Sequence, residues 1–318
     1  MGMGAGKIYL TFNLQNPTSR IILISISMAK TMANSWRMSG DVYDSFSRPD
    51  ARCPCTGDEE GYLCVLPGFH CSILNIMNKM AKIASKTQSG AQNDMDGLEV
   101  GNGGMTDNEY ITQMSIWAIN SSPLLMGNDV TNMTPATISI LSNPAVLAIS
   151  QDPMTQAATR TWRYAVADKD EYGMGEINLW TRMLNNTDVV VALVNGGNKT
   201  REMNATLADI FLDQGADRST EAQTGYDVYD LWGYRMDNAT ASAVLHGNAT
   251  ISSNSTMRYN ATSMSYAEGI KNNVTALMGK KIGSVDPLGR LTAKVPRHGT
   301  GLFRLRANGK TMMKRDEL

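Results

Sequence analysis

The sequence predicts an α/β region followed by an all-β region, the second an antiparallel β-sandwich. Three observations carry this reading. Between about residues 20 and 150, strand-like runs alternate with segments whose apolar residues recur at helical spacing. From about residue 157 the texture changes to short β-rich runs separated by Asn, Gly and Asp turns. No internal repeat or long low-complexity linker interrupts either region, and 318 residues leave room for one large domain or two ordinary ones.

In order, residues 20–27 of "RIILISISM" read as a buried strand, broken by two serines and far short of the ~20 apolar residues a membrane span needs. "NSWRMSGD" (34–41) ends a second strand and opens a loop. "GFHCSILNIMNKMAKIA" spaces Ile73, Ile76, Met77, Met80 and Ile83 along one helical stripe. In "TDNEYITQMSIWAI", Thr106 and Glu109 fit a capping box, and Ile111, Met114, Trp117 and Ala118 make a helical face. "SPLLMGND" (122–129) reads as a short buried strand with a polar end, and "TPATISILSNPAVLAIS" (134–150) as a second helical stretch. Strand and helix alternate here with polar residues just past the strands, the end that carries chemistry in a β/α barrel. "TWRYAVA", "EINLWTRML", "DVVVALVNGG", "YDVYDLW", "RLTAKVP" and "GTGLFRLR" are the sandwich strands.

The composition is globular, 42% hydrophobic and 19% charged. A net charge of −1 gives no electrostatic argument for nucleic acid or an anionic membrane as a partner. Asn-x-Ser/Thr acceptors stand at Asn120, Asn132, Asn185, Asn198, Asn204, Asn238, Asn248, Asn254, Asn260 and Asn273, a density that favours a secretory-pathway glycoprotein. Cys53, Cys55, Cys64 and Cys71 agree. In an oxidising compartment they form two disulfides, read as the nested pairs Cys53–Cys71 and Cys55–Cys64 rather than a crossed arrangement. The rival is a zinc site with His70, whose Cys-x-Cys spacing is not the usual knuckle. The N-terminal "MGMGAGKIYLTFNLQNPTSR" is neither a signal peptide nor a phosphate loop, yet the chain ends in "KRDEL", which resembles an endoplasmic-reticulum retention address. The expectation is that a signal-bearing N-terminus is missing from this sequence. A Ser or Cys hydrolase fits poorly, because His70, His246 and His298 have no nucleophile-elbow Ser nearby.

"NSWRMSGDVYDSFSR", "CPCTGDEEGYLCVLPGFHCSILNIMNK", "NDMDGLEVGNGGMTDNEYITQMSIWAINSSPLLMGNDV", "VVVALVNGG", "YDVYDLWGYRM" and "VPRHGTGLFRLR" strongly resemble the fungal α-galactosidases of glycoside hydrolase family 27 over residues 20–307. The resemblance implies the C-terminal half of a (β/α)8 barrel over 20–155 and an antiparallel β-sandwich over 156–310. An atypical segment (1–19) and a tail (311–318) flank them. It also implies retaining hydrolysis of terminal α-linked galactose from an oligosaccharide, without metal or organic cofactor. Two carboxyl groups are needed for that reaction. The family's Trp-Arg-x-x-x-Asp stretch makes Asp41 the acid/base and Arg37 the cation that holds hydroxyls and orients carboxylates. Its Asn-Asp-x-Asp motif makes Asp96 a galactose-binding residue and leaves Asp94 structural. Asp44 and Asp129 read as caps or surface charges.

The departures are specific. The family nucleophile is the Asp of a Lys-Tyr-Asp strand end expected upstream of residue 20, and residues 1–19 contain no Asp or Glu, so the nucleophile is absent. "MAKTMA" follows "IILISIS" where the family has Cys and a Trp-Gly loop. "SGAQ" (89–92) replaces Gly-Gly-Trp, so a strand and an aromatic contact are expected to be lost, and Gly97 replaces a usual Met. The alternative is therefore an inactive fragment or pseudo-enzyme, at most a weak galactose-binding module.

Overall fold

The computed structural model describes residues 33–48, 70–212, 219–248 and 255–311. The strand expected at 20–27, Cys53, Cys55, Cys64, Asn254 and the KRDEL end lie outside the described residues.

Two short parallel pairs open the chain: β1 (Ser35–Arg37) beside β4 (Gln92–Asp94), and β2 (Asp41–Val42) beside β3 (His70–Cys71). Parallel pairing needs a crossover, and α1 (Ile73–Ile83) lies on the path from β1 to β4. Its N-terminus is capped by Ser72, whose hydroxyl accepts from the Asn75 amide, and the expected stripe Ile73, Ile76, Met77, Met80 and Ile83 is buried. β4 corrects the expectation that "SGAQ" costs a strand. Backbone pairing with β1 requires no aromatic side chain, and Asn93 is anchored from both sides. Its Oδ1 accepts from the Trp36 indole at 2.9 Å and its amide donates to the Ile83 carbonyl at 2.9 Å.

α2 (Asp107–Ile119) starts at the expected Thr106–Glu109 capping box and is buried on almost every side. The single helix expected after it is two, α3 (Pro135–Leu141) and α4 (Pro144–Ser150). Pro144 cannot continue α3, and Asn143 caps α4 by accepting from the Ala145 and Val146 amides. "SPLLMGND" is not a buried strand. Its pairing stops at one bridge, Leu98 to Met126, with Leu125 and Met126 exposed. Pro123 supplies no donor, and among the described residues Leu98 is the segment's one bridging partner.

The β-rich region forms an antiparallel six-stranded sheet in the order β10 (Lys280–Val285), β9 (Thr224–Asp230), β12 (Thr300–Thr311), β7 (Val189–Asn195), β6 (Glu176–Met183), β5 (Thr159–Ala165). A separate pair, β8 (Arg201–Thr206) with β11 (Arg290–Val295), packs on one face. β7 explains its own composition. Side chains alternate across a strand: Val190, Ala192 and Val194 join the core under the helices, while Val189, Val191 and Leu193 join the core under β8 and β11. Covered on both faces, the strand is apolar throughout. Each fully buried valine or leucine contributes about 1.5–3 kcal/mol.

Buried charges tie the layers together. Arg182 on β6 donates to the carbonyls of Ala118 and Ile119 at the end of α2, Ile149 in α4, and Met154. The Ala118, Ile119 and Ile149 carbonyls lie in last helical turns, where a carbonyl has no partner one turn further along the helix. Burial pushes this guanidinium down to about 10, so it stays charged at neutral pH. Asp188 accepts from Arg304 Nη1 at 2.8 Å and from Arg306 Nε and Nη2 at 2.9 and 2.8 Å.

Cys71 is disulfide-bonded, which removes it as a thiolate ligand for zinc. The pairing itself falls outside the described residues. Of the described acceptor asparagines, Asn132, Asn185, Asn198, Asn204, Asn238, Asn248, Asn260 and Asn273 are exposed. Asn120 is an exception: it is fully buried and its amide donates to the Ile116 carbonyl. Among the described residues no helix is long and apolar enough to cross a membrane.

Candidate active site

The β1–β4 register sets Arg37 opposite Asp94, so the ends of two parallel strands bring Arg37 and the Asp94–Gly97 turn together. Asp94 is buried. Burial pushes its carboxyl up, against the Asp96 amide and the Arg37 charge, which pull it down. Its Oδ1 accepts from the Asp96 amide at 2.8 Å, the structural part expected of it.

Asp96 sits at φ +78°, a left-handed conformation that Asp tolerates better than most residues. Its own polar atoms are all engaged. Its Oδ2 faces Arg37 Nη2 at 2.6 Å and accepts from the Val42 amide at 2.8 Å; its Oδ1 accepts from the Gly97 amide at 2.8 Å. Its carbonyl accepts from the Trp117 indole of α2 at 2.7 Å. The same Arg37 nitrogen reaches Asp41 Oδ1 at 2.9 Å. The structure thus brings Arg37, Asp41 and Asp96 into one cluster. The Asp41 side chain is 56% exposed, against 20% for Asp96, so Asp41 is the carboxylate open to a ligand.

Asp44 is neither a cap nor a surface charge. It accepts from the Tyr110 hydroxyl at 3.0 and 3.1 Å and from the Gly104 amide. Burial raises its carboxyl; the Gly104 and Tyr110 bonds oppose this, and the nearby Glu109 charge adds to it. A Cβ at Gly104 would collide with the Asp44 carbonyl, so glycine is what lets the 99–105 loop close on this residue. Glu99 is also raised, by burial first, with Asp44 and Asp96 among the charges that push it further. Asp129, by contrast, is the turn cap expected: its Oδ1 accepts from the Thr131 amide at 2.9 Å. Gly97 has space for a larger residue, since a Cβ there would stand an ordinary 3.6 Å from the Leu125 carbonyl.

Tyr110, Trp117, Glu99 and Asp44 were not marked as site residues by sequence. The Tyr110 and Trp117 spacing signals only a helix. Their polar atoms become part of the site because α2 lies across the strand ends.

The family model described as alpha galactosidase A matches residues 69–152, and that of the alpha galactosidase C-terminal β-sandwich domain matches residues 174–261. An α-galactosidase of Lachancea cidri is 51% identical over 275 residues, 86% of this chain and 57% of that protein. The solved structure of an α-galactosidase from Saccharomyces cerevisiae, determined also with raffinose, superimposes with a TM-score of 0.84 at 48% identity. It covers 90% of this chain and 62% of the other. α-Galactosidase I from Mortierella vinacea follows with a TM-score of 0.66 at 33% identity, over 91% of this chain and 57% of its own. The chain spans about three-fifths of the length of these relatives. With both family models matched in order and the identity spread across nearly all of its residues, the chain belongs to the α-galactosidase family, glycoside hydrolase family 27.

Proposed function

We propose that this chain acts in carbohydrate metabolism as an α-galactosidase, removing terminal non-reducing α-D-galactose from galactosides with retention, with Asp41 as acid/base. The observation that carries this is the single Arg37 nitrogen set between Asp41 and Asp96 at 2.9 and 2.6 Å on adjoining strand ends. Asp41, exposed and held by one contact, can give its proton to the glycosidic oxygen as a second carboxylate, the nucleophile that retention requires and that the Arg37–Asp41–Asp96 cluster does not supply, bonds to the anomeric carbon; it can then take a proton from the water that displaces that carboxylate. Asp96 is fixed at Oδ2 by Arg37 and the Val42 amide, while Oδ1 accepts only from the Gly97 amide, so its part is to accept a hydrogen bond from a sugar hydroxyl at Oδ1. Arg37 donates to the same hydroxyls and fixes both carboxylates.

The β/α region, about 20–155, is read as the C-terminal half of a (β/α)8 barrel, and 156–310 as the β-sandwich. Exposed acceptor asparagines and a disulfide-bonded Cys71 support residence in the secretory pathway.

A second reading is galactose binding without turnover. It is favoured by the cluster itself, which among the described residues presents one exposed carboxylate, Asp41, where retaining hydrolysis uses two. One experiment separates the two. The purified chain is given p-nitrophenyl α-D-galactoside, and galactose is titrated against the fluorescence of Trp36 and Trp117. Turnover abolished by Asp41→Asn supports hydrolysis. Saturable binding with no turnover supports the second reading, and neither signal defeats both.

A further inference from the structure

We propose that His298, on the turn between β11 and β12 of the sandwich, is a positioning residue for the segment that carries Asp41. The ring is 4% exposed and stacks on Phe46 with centroids 4.4 Å apart and planes 19° from parallel. Phe46 lies five residues after Asp41 on a segment of irregular backbone. The imidazole Nδ1 stands 2.6 Å from Glu109 Oε1. The other Glu109 oxygen is spent on the capping box, accepting from the Thr106 amide at 2.6 Å and hydroxyl at 2.8 Å. One carboxylate therefore starts α2 and holds the histidine.

Glu109 and the adjacent Tyr110 act on the same loop from two sides. Glu109 presents His298 to Phe46, and Tyr110 donates to Asp44. The histidine is itself pinned. Its carbonyl accepts from the Thr112 hydroxyl at 2.8 Å, the hydroxyls of Thr300 and Thr112 are 3.0 Å apart, and the Gly299 carbonyl accepts from the Asn195 amide at 2.9 Å. His298 also sits at φ +51°, a left-handed conformation that a non-glycine residue adopts only under strain. A turn that only linked two strands would place a glycine there, and Gly299 follows at once. The ring is what the strained position delivers: an aromatic plane and a donor, brought from the sandwich against the Asp41–Ser47 loop.

The catalytic meaning of this latch rests on the proposed role of Asp41, but the latch can be measured without it. Amide hydrogen exchange is followed in the full chain for wild type, His298→Ala and Glu109→Gln. Gln still completes a capping box, so the second variant removes the charge while keeping the helix start. Both variants are expected to exchange the amides of Asp41–Ser47 at least ten-fold faster, with β6 and β7 unchanged. The galactose midpoint should also rise several-fold. His298→Asn, which tolerates the left-handed backbone and keeps a donor, should recover part of the protection, and it serves as the folded comparison if His298→Ala does not fold. Exchange in Asp41–Ser47 within two-fold of wild type in the folded variants overturns the proposal. If wild type binds no galactose, the proposed function falls while the exchange result still decides the latch.

Discussion

Replacing Arg37 by Met tests whether the cluster is held by charge. The contacts of 2.9 and 2.6 Å to one nitrogen bound the separation of the Asp41 and Asp96 oxygens at about 5.5 Å. Without the guanidinium, two carboxylates at that distance repel by about 0.8 kcal/mol in water and about 3 kcal/mol at an effective dielectric constant of 20. Asp41 is more than half exposed and Asp96 is not, so the expected loss of stability is about 1–2 kcal/mol. The assay is a double-mutant cycle by chemical denaturation with Asp96→Asn. Asn accepts the +78° backbone and keeps one oxygen, which can serve the Val42 or the Gly97 amide but not both, because these bond different Asp96 oxygens. In the Arg37→Met background, Asp96→Asn should recover part of the loss, because one charge is gone while one amide bond is given up. A double variant no more stable than Arg37→Met would show that Arg37 acts by packing, and the electrostatic account of the site would be wrong.

Asp188→Asn leaves buried Arg304 without its counter-charge and should cost about 3–5 kcal/mol. Burial alone would raise the Asp188 carboxyl, but the Arg306 hydrogen bonds and the Arg304 charge hold it below the usual range. The advantage of wild type is thus full above the unfolded carboxylate pKa and closes as pH falls through the folded one, which denaturation midpoints at pH 7 and pH 3 can follow. Lys79, buried against Cys71, is pushed down to about 7 by burial and then by the Lys82 charge. Between about 7 and the unfolded value near 10.4 the unfolded chain binds more protons, so stability rises with pH. The benefit of Lys79→Met should therefore be largest at pH 6 and smaller at pH 9. Peptide mapping of folded protein produced through a secretory host should find no glycan on Asn120, which is fully buried, and occupancy there in folded material would contradict its placement.

What the sequence made legible is what depends on neighbours in the chain. The α1 stripe, the Thr106–Glu109 box and the unbroken apolar run of β7 are local patterns, and the structure returns each of them. Arg37 and Asp41 are four apart, so a motif can carry both. β8 and β10 were not legible. β8 buries only Met203 and Ala205, and β10 is an edge strand exposed along most of its length, so neither shows an alternation long enough to read. "SPLLMGND" failed in the opposite direction, because its apolar residues suggest burial that the surrounding chain does not provide. Asp44 and His298 were missed for a different reason. Their partners lie 66 and 189 residues away, and no periodicity links such positions.

The contacts that support Asp41 come from both regions of the chain, and this bears on why the two are fused. Val190, Ala192, Val194 and Leu302 of the sheet share a core with Met114, Trp117 and Ile140 of the helices. Arg182 supplies the donors for the ends of α2 and α4. The Asn78 amide of α1 donates to Glu176 on β6 at 3.3 Å. A cut near residue 155 would therefore expose one face of β7 and take the Arg182 guanidinium away from the ends of two helices. It would also take the imidazole away from Phe46. The sandwich holds no residue of the Arg37–Asp41–Asp96 cluster, yet it fixes the helix whose indole holds Asp96 and the loop that follows Asp41. The geometry of that cluster is thus a property of both layers together, and a perturbation on β12 can reach it through two contacts.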